Sequence, residues 1–252
     1  MDAFMGSATP RAAVRRVLVV DIGGTHVKIY ASGRPGVRQF RSGPTLTPQA
    51  AVAGVLRRTR HWRYNAVSIG FPGPVLHGRP LHDPVNLGPG WVGFDFRRAF
   101  RRPVKLVNDA AMQALGAYHG GRMLFLGLGT GLGSAMIVDG KLEPFELAHL
   151  PYRKGRTYEE YLGKAGLKRL GAKRWQRRVF DVVDRFRTAL EPEYVVIGGG
   201  NAKRLTALPA GCSLGRNADA FPGGLRLWDV PPAAPKARRR RRRARARRSP
   251  PG

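Results

Sequence analysis

Two glycine-rich segments, each flanked by short apolar runs, constrain the fold of this chain more than any other feature. The first, residues 21–28 (DIGGTHVK), joins the apolar runs 16–21 and 26–31, and the second, residues 127–134 (GLGTGLGS), lies between two further apolar runs. Short apolar runs that end at glycine are typical of buried strands. Each segment is therefore predicted to be a strand, a tight turn and a second strand.

Helix signals alternate with further strand candidates along the chain. Thr47 and Pro48 pair an N-cap residue with proline at the first helical position, and Thr157 with Glu160 forms a capping box. The remaining predictions are strands at 66–70, 104–107 and 194–197, helices at 110–118 and 173–190, and a glycine turn at 198–201 that leads into a helix. The sum is a mixed α/β chain, and two linked lobes fit it better than a barrel.

Both glycine segments carry the residue types that hold phosphate. Their glycines allow the backbone to approach an anion, and successive backbone amides point at its oxygens. The candidate phosphate-binding residues are Asp21, Gly23, Gly24, Thr25 and Lys28 in the first segment and Gly129, Thr130, Gly131 and Gly133 in the second. The second segment is neither a Walker loop nor a dinucleotide-binding motif. A glycine hairpin formed for packing alone remains the alternative for each.

Polar residues between and after the two segments add candidates for catalysis and sugar binding. Asn108 and Asp109 lie at a strand-to-helix junction, where helix capping is the alternative to a catalytic base. Glu146 and His149 follow the second segment and suit vicinal hydroxyls, although a surface Glu and a satisfied His are equally expected. Cys212 has no nearby signature and is predicted to pack.

Charge and cysteine content limit the classes of protein that fit. The 45 Lys and Arg outweigh 16 Asp and Glu, giving a formal charge of +29, and ten cations lie in the tail 231–252, so the rest carries +19. An excess of positive charge of this size favours binding of polyanions, or it only keeps the protein surface soluble. One cysteine excludes an internal disulfide. With no signal segment or membrane span expected, the sequence predicts an intracellular, cytoplasmic protein.

Taken together, these motifs resemble the ROK family of sugar kinases, within the wider actin, hexokinase and Hsp70 superfamily. The resemblance spans about residues 16–228, and residues 69–74 and 86–93 look most like the polyphosphate glucokinase branch. It implies a two-lobed, ribonuclease H-like α/β fold. The expected division is a leader at 1–15, an N-terminal lobe at 16–107, a C-terminal lobe at 108–230 and a disordered basic tail at 231–252.

The resemblance also implies an activity and roles for single residues. It implies phosphorylation of glucose at its 6-hydroxyl by polyphosphate or ATP, with Asp109 as general base and Asp21 holding magnesium through water. It places Asn86, Asn108, Glu146, His149 and Glu159 on the sugar, and Gly198, Gly199, Gly200 and Asn201 on the nucleotide side. A homodimer is expected as well.

Departures from the family pattern sharpen these expectations. No cysteine follows His149 before Cys212, so no structural zinc is expected, and Ala148 replaces a motif glycine beside the sugar residues. Only 20 residues precede Asp21, which disfavours a DNA-binding repressor. The alternative from another class is a non-catalytic protein that binds nucleic acid or other polyanions through its tail.

Overall fold

The computed structural model describes residues 15–229. Nearly all of the predicted leader and the whole predicted basic tail lie outside these residues. The described strands are β1 (Val17–Ile22), β2 (His26–Ala31), β3 (Arg38–Arg41), β4 (Ala66–Phe71), β5 (Val75–Leu76), β6 (Arg79–Pro80), β7 (Val104–Asn108), β8 (Arg122–Leu128), β9 (Leu132–Val138), β10 (Lys141–Pro144), β11 (Pro151–Arg153), β12 (Arg156–Thr157), β13 (Tyr194–Gly198) and β14 (Cys212–Leu214). The described helices are α1 (Pro48–Thr59), α2 (Phe96–Phe100), α3 (Asp109–Ala117), α4 (Tyr158–Leu162), α5 (Lys164–Leu190) and α6 (Ala220–Arg226).

Two five-stranded sheets share one topology. The first has the order β3-β2-β1-β4-β7 and the second the order β10-β9-β8-β13-β14. In each sheet the first three strands in sequence are antiparallel neighbours, and the other two add in parallel. The two glycine segments are consequently equivalent, because each is the turn of the first hairpin in its own sheet.

Five layers result from the packing of helices on these sheets. One face of the first sheet packs against α1 and α2, and the outer face of the second sheet packs against α5. Between the sheets, α3 and α6 share one apolar cluster with residues of both. Small side chains such as Ala110, Ala111 and Ala114 line α3 and are buried there, so two sheets can approach the same helix.

The central strands explain why the sequence shows continuous apolar runs rather than alternation. All six residues of β1 and all six of β4 are buried, because helices cover both faces of the first sheet. Asp21 and Ser68 are the polar exceptions in these strands. Ser68 donates a hydrogen bond to the carbonyl of Gly224 in α6 (2.5 Å) and accepts one from the indole of Trp228 (2.9 Å). These bonds join the last described segment to the first sheet.

Most predicted elements are present, and three differences have local causes. The helix predicted at 173–190 is the second part of α5, which starts at Lys164 and is interrupted at Gly171, where φ is +71°. The helix expected after the glycine turn 198–201 is a single 3₁₀ turn, Ala202–Arg204. The loop after β4 contains the β5–β6 hairpin. Thr47 caps α1 and Thr157 caps α4, as predicted.

Candidate active site

The first glycine segment places a buried carboxylate beside one ammonium group. Asp21 is only 7% exposed near the end of β1, and Lys28 pairs with it across the β1–β2 hairpin. The Lys28 Nζ lies 3.7 Å from Oδ2 of Asp21. Burial raises the pKa of Asp21, and the Lys28 charge lowers it in part. A buried carboxylate with incomplete compensation is an attractive position for a cation.

The turn of this hairpin leaves amides open. Gly23 donates its N–H to the carbonyl of His26 (3.0 Å), and Ser42 bonds to the carbonyls of Gly23 and Thr25. The hydrogen bonds of the described residues leave the N–H groups of Gly24 and Thr25 unused. The turn therefore presents two successive donors, as a phosphate site requires.

Asp109 is the first residue of α3, and its surroundings raise its basicity. It is half-buried, and desolvation together with the charge of Asp21 raises the pKa of Asp109 to about 7. Its Oδ1 accepts a hydrogen bond from the N–H of Ala110 (2.8 Å), which opposes the rise. A carboxylate with a pKa near neutrality is suited to accept a proton.

Asn108 has the capping role that the sequence left open. Its Oδ1 accepts hydrogen bonds from the N–H groups of Ala110 (2.9 Å) and Ala111 (3.3 Å), and its Nδ2 donates to the carbonyl of Gly73 (3.0 Å). Asn108 thereby fixes the start of α3 against the loop that follows β4. The second N–H of the Asn108 amide can donate to a sugar hydroxyl, and this contact stays a prediction.

The second glycine segment is held from behind by α5. The N–H of Lys164 donates to the carbonyls of Gly129 (3.1 Å) and Thr130 (3.0 Å), and Gly129 donates to the carbonyl of Gly131 (3.0 Å). Among the described residues, Thr130 and Gly131 have N–H groups with no acceptor. This loop, like the first one, presents two adjacent donors.

The glycine turn 198–201 also contacts the second loop. Asn201 donates from its backbone to the carbonyl of Leu128 (2.8 Å) and from Nδ2 to the carbonyl of Gly129 (2.7 Å). Gly198 ends β13, and Gly199 and Gly200 form the turn itself. The segment expected on the nucleotide side therefore supports the loop expected to hold phosphate.

Glu146, His149 and Glu159 form a group of ionisable side chains after the second loop. Partial desolvation raises the pKa of Glu146, the nearby His149 lowers it, and the charge of Glu159 raises it further. Glu146 Oε1 accepts a hydrogen bond from the N–H of Ala148 (3.3 Å), and Ala148 is buried. Glu146 and His149 are exposed, so they are free to contact a polyol.

Two close approaches connect the candidate groups. A Cβ on Gly133 would lie 2.5 Å from the Cβ of Ala110, so glycine there lets the second loop rest on the start of α3, beside Asp109. A Cβ on Gly24 would lie 3.3 Å from the Cβ of Asn86, which places Asn86 next to the first loop. The sequence candidates thus form a connected set around α3.

Asp83, which no sequence pattern singled out, holds together the loop that carries Asn86. Its carboxylate accepts hydrogen bonds from the N–H groups of Gly90 (3.1 Å), Trp91 (2.7 Å) and Val92 (3.3 Å). These bonds, with Gly90 first, lower the pKa of Asp83. They close the loop that carries Asn86 and bring the fully buried Trp91 into the core. An acid eight residues before a buried tryptophan gave no recognisable motif.

The residues near the first loop fit a magnesium ion. Magnesium is usually held by one or two carboxylates together with substrate phosphates and several waters. Asp21 offers such a carboxylate, and the charge effect on Asp109 shows that the two acids lie within electrostatic reach. Across residues 15–229, no three His, Cys, Asp or Glu side chains gather into a metal-binding group.

A large cavity lies apart from this set. It measures about 1480 Å³ and is lined by β7, the β9–β10 turn and the end of α6, including Lys105, Tyr118, Lys141 and Leu227. The candidate catalytic and phosphate-binding residues are not among those that line it.

Within the described part of the chain, no helix has the length and apolarity needed to cross a membrane.

The chain is similar in sequence to proteins named as glucokinases. No family model matches it. It is 26% identical over 228 residues to a polyphosphate glucokinase of Mycobacterium tuberculosis, covering 79% of this chain and 83% of that protein. It is 31% identical over 133 residues to a glucokinase of Pyrobaculum calidifontis, covering 50% of this chain and 40% of that protein.

Solved structures show the same fold over nearly the whole chain. The inorganic polyphosphate/ATP-glucomannokinase of Arthrobacter sp. strain KM matches with a TM-score of 0.72 and 24% identity, covering 86% of this chain and 100% of that one. A ROK family glucokinase of Streptomyces griseus matches with a TM-score of 0.69 and 16% identity, covering 84% and 98%. The chain therefore has the fold of the ROK sugar kinases and resembles the polyphosphate glucokinases in sequence.

Proposed function

We propose that this protein is a sugar kinase that phosphorylates glucose at its 6-hydroxyl, using polyphosphate, ATP or both. The observation that carries the proposal is Asp109, a half-buried carboxylate with its pKa raised to about 7 beside a glycine loop with open amides. The glucokinase names of the relatives support the same activity.

Asp109 is the general base. It accepts the proton of the attacking hydroxyl while the phosphoryl group moves to the oxygen. A pKa near the working pH keeps a large fraction of Asp109 ionised and still able to bind a proton. Asn108 keeps this carboxylate in place by capping α3.

Both glycine loops hold the donor. The open N–H groups of Gly24 and Thr25 and of Thr130 and Gly131 donate to phosphate oxygens, and Lys28 adds positive charge. Asp21 would hold magnesium through water, and the ion would neutralise charge on the donor. The turn that ends in Asn201 supports the second loop from the nucleotide side.

The sugar lies between the two lobes. Glu146, His149 and Glu159 form hydrogen bonds with its hydroxyls, and Asn86 and Asn108 approach it from the side of the first sheet. Carboxylates suit vicinal hydroxyls because their oxygens accept hydrogen bonds from O–H groups, and an imidazole can both accept and donate. Ala148, in place of a glycine, packs in the core beneath this group.

Polyphosphate is the favoured donor because the charge of the chain suits a long polyanion. The chain carries +29, and +19 remains without the ten cations of residues 231–252. Binding of a polyanion to such a surface weakens steeply with salt, whereas a nucleotide held by fewer contacts is less affected. The tail is proposed to contribute to polyanion binding, and a cytoplasmic homodimer completes the proposal.

The experiment measures glucose 6-phosphate formation with magnesium and either polyphosphate or ATP, each at several salt concentrations. We expect turnover with polyphosphate and a KM for polyphosphate that rises more steeply with salt than the KM for ATP. A preference for ATP that salt does not change would contradict polyphosphate as the favoured donor. No turnover with either donor, together with nucleic-acid binding that deletion of residues 231–252 abolishes, would favour the tail-driven binding protein.

A further inference from the structure

Glu159 touches both the candidate sugar group and the second glycine loop. Its backbone N–H donates to the carbonyl of Ala148 (3.0 Å). In the sequence, Ala148 lies between Glu146 and His149. Its Oε2 accepts a hydrogen bond from the N–H of Leu132 (3.2 Å), the residue that ends the loop. Glu159 of α4 therefore contacts both the candidate sugar-binding group and the candidate phosphate-binding loop.

The approach of Glu159 to the loop depends on a glycine. A Cβ on Gly131 would overlap Oε2 of Glu159, so any larger residue there displaces the carboxylate. The carbonyl of Glu159 also accepts the N–H of Gly163 (2.8 Å), directly before Lys164, whose N–H holds the loop carbonyls. The loop and α4 are thus tied together at two adjacent points.

The carboxylate lies where it competes with an anion. Thr130, Gly131 and Leu132 supply three consecutive N–H groups, of which two are unused and the third is taken by Glu159. A donor phosphate on the first two amides would lie next to the negative carboxylate. Like charges at such short range repel strongly in a partly desolvated site.

We propose that Glu159 is a positioning residue that makes sugar and phosphoryl donor bind synergistically. The inference rests on the proposed sugar kinase function. Without sugar, the carboxylate of Glu159 occupies the N–H of Leu132 and its charge opposes the donor. A sugar hydroxyl that donates to this carboxylate, beside Glu146 and His149, draws it from the loop and leaves all three amides to phosphate. Coupling of this kind is reciprocal, so the donor strengthens sugar binding by the same factor.

The test measures by calorimetry the affinity of the protein for tripolyphosphate in the presence of magnesium, with and without 6-deoxyglucose. This sugar lacks the hydroxyl that receives the phosphoryl group, so it binds without being phosphorylated. In the unaltered full chain, the sugar should raise tripolyphosphate affinity about tenfold, within the usual range for coupled sites. In Glu159→Gln, the sugar-free affinity should already be raised by about the same factor, and the further gain from sugar should disappear.

Glu160→Gln is the matched control, because it removes the same charge one residue away and glutamine still completes the capping box of α4. It should keep the sugar-dependent gain. Glu159→Ala is the second variant, and thermal unfolding of each variant verifies folding. Since alanine also lacks the charge, its sugar-free affinity should rise as well.

Three outcomes would overturn the inference. The first is an unaltered gain from sugar in Glu159→Gln, and the second is a loss of sugar binding with unchanged sugar-free donor affinity. The third is the absence of any gain in the unaltered chain. If one of these outcomes is found and the unaltered chain forms glucose 6-phosphate, the inference fails but the proposed function stands. If it forms none with polyphosphate or ATP, the proposed function fails and the inference falls with it.

Discussion

The charge of Asp21 raises the pKa of Asp109, although Asp21 lies on β1 and Asp109 begins the helix that follows β7. Asp21 pairs with Gly70 of β4, and Gly70 pairs with Val107 of β7, two residues before Asp109. The parallel arrangement of β1, β4 and β7 brings both acids to the carboxyl ends of the strands, where α/β folds bind their ligands. Asp21, which is suited to bind magnesium, and Asp109, which is suited to accept a proton, therefore lie at the same edge of the sheet.

The first prediction concerns the pH dependence of catalysis. Asp109 accepts a proton only when ionised, so kcat/KM for glucose should rise with pH and reach half its maximum near the pKa of about 7. Initial rates at constant ionic strength and saturating magnesium measure this profile. A rate that stays flat between about pH 5.5 and 8.5 would speak against Asp109 as the base.

The second prediction is that the catalytic carboxylate costs stability. Its pKa is raised on folding, so the folded protein loses stability as pH rises from about 4, where an unfolded Asp titrates, to about 7. Asp109→Asn removes this loss. The variant should gain about 2 kcal/mol over the unaltered chain at pH 8, roughly half the limit for a fully dry site, and little at pH 4.

Urea unfolding at pH 4, 6 and 8 measures this difference in the free energy of unfolding. Asp184→Asn, at an exposed position on α5, is the control and should show no comparable trend. A stability difference between Asp109→Asn and the unaltered chain that does not grow with pH would show that Asp109 keeps an ordinary pKa.

The third prediction concerns the support of the second loop. Asn201→Ala removes the hydrogen bond from Nδ2 to the carbonyl of Gly129 (2.7 Å), so the loop should hold the donor less well. We expect the KM for the donor to rise about tenfold, as the loss of one hydrogen bond allows, and the KM for glucose to change less than about twofold. Steady-state kinetics with each substrate varied in turn gives both values.

Asn217→Ala provides the comparison for this variant, since Asn217 is exposed at the start of the 3₁₀ turn that follows β14. It should leave both KM values unchanged. Equal increases in the two KM values of Asn201→Ala would mean that Asn201 supports the whole lobe rather than the donor loop.

The fourth prediction concerns Asp83, whose three hydrogen bonds close the loop that carries Asn86. Asp83→Ala should loosen this loop and raise the KM for glucose about tenfold, because a displaced positioning group weakens substrate binding. The KM for the donor should stay near its original value. Asp184→Ala, which removes an exposed acid from α5, is the control, and an unchanged KM for glucose in Asp83→Ala would remove the loop from sugar binding.

Much of the frame follows from local sequence patterns. The hairpins around both glycine segments, α1 with its Thr47 cap, and the capping of α3 by Asn108 all have short-range signals that the structure confirms. The start of α3 lies at Asp109, one residue before the predicted start at residue 110. The duplicated sheet topology gave no such signal, because the two halves share strand order rather than residue identity.

The missed features depend on packing between distant residues. The helix α6 contains Pro222, Gly223 and Gly224, which disfavour helices in isolation. It forms because its glycines let α6 approach α3 and β1 closely, where Gly223 faces the carbonyl of Met112. Asp83 likewise makes its three hydrogen bonds only when the loop around it has closed.

The most direct test of the account is glucose 6-phosphate formation by the unaltered chain and by Asp109→Asn, with magnesium and polyphosphate or ATP. Loss of a general base commonly lowers the rate by about 10² to 10⁴. We predict that the unaltered chain turns over and that Asp109→Asn, folded and still able to bind 6-deoxyglucose, loses at least about 10² of that rate. Full activity in Asp109→Asn would contradict the assignment of the base and, with it, the central claim.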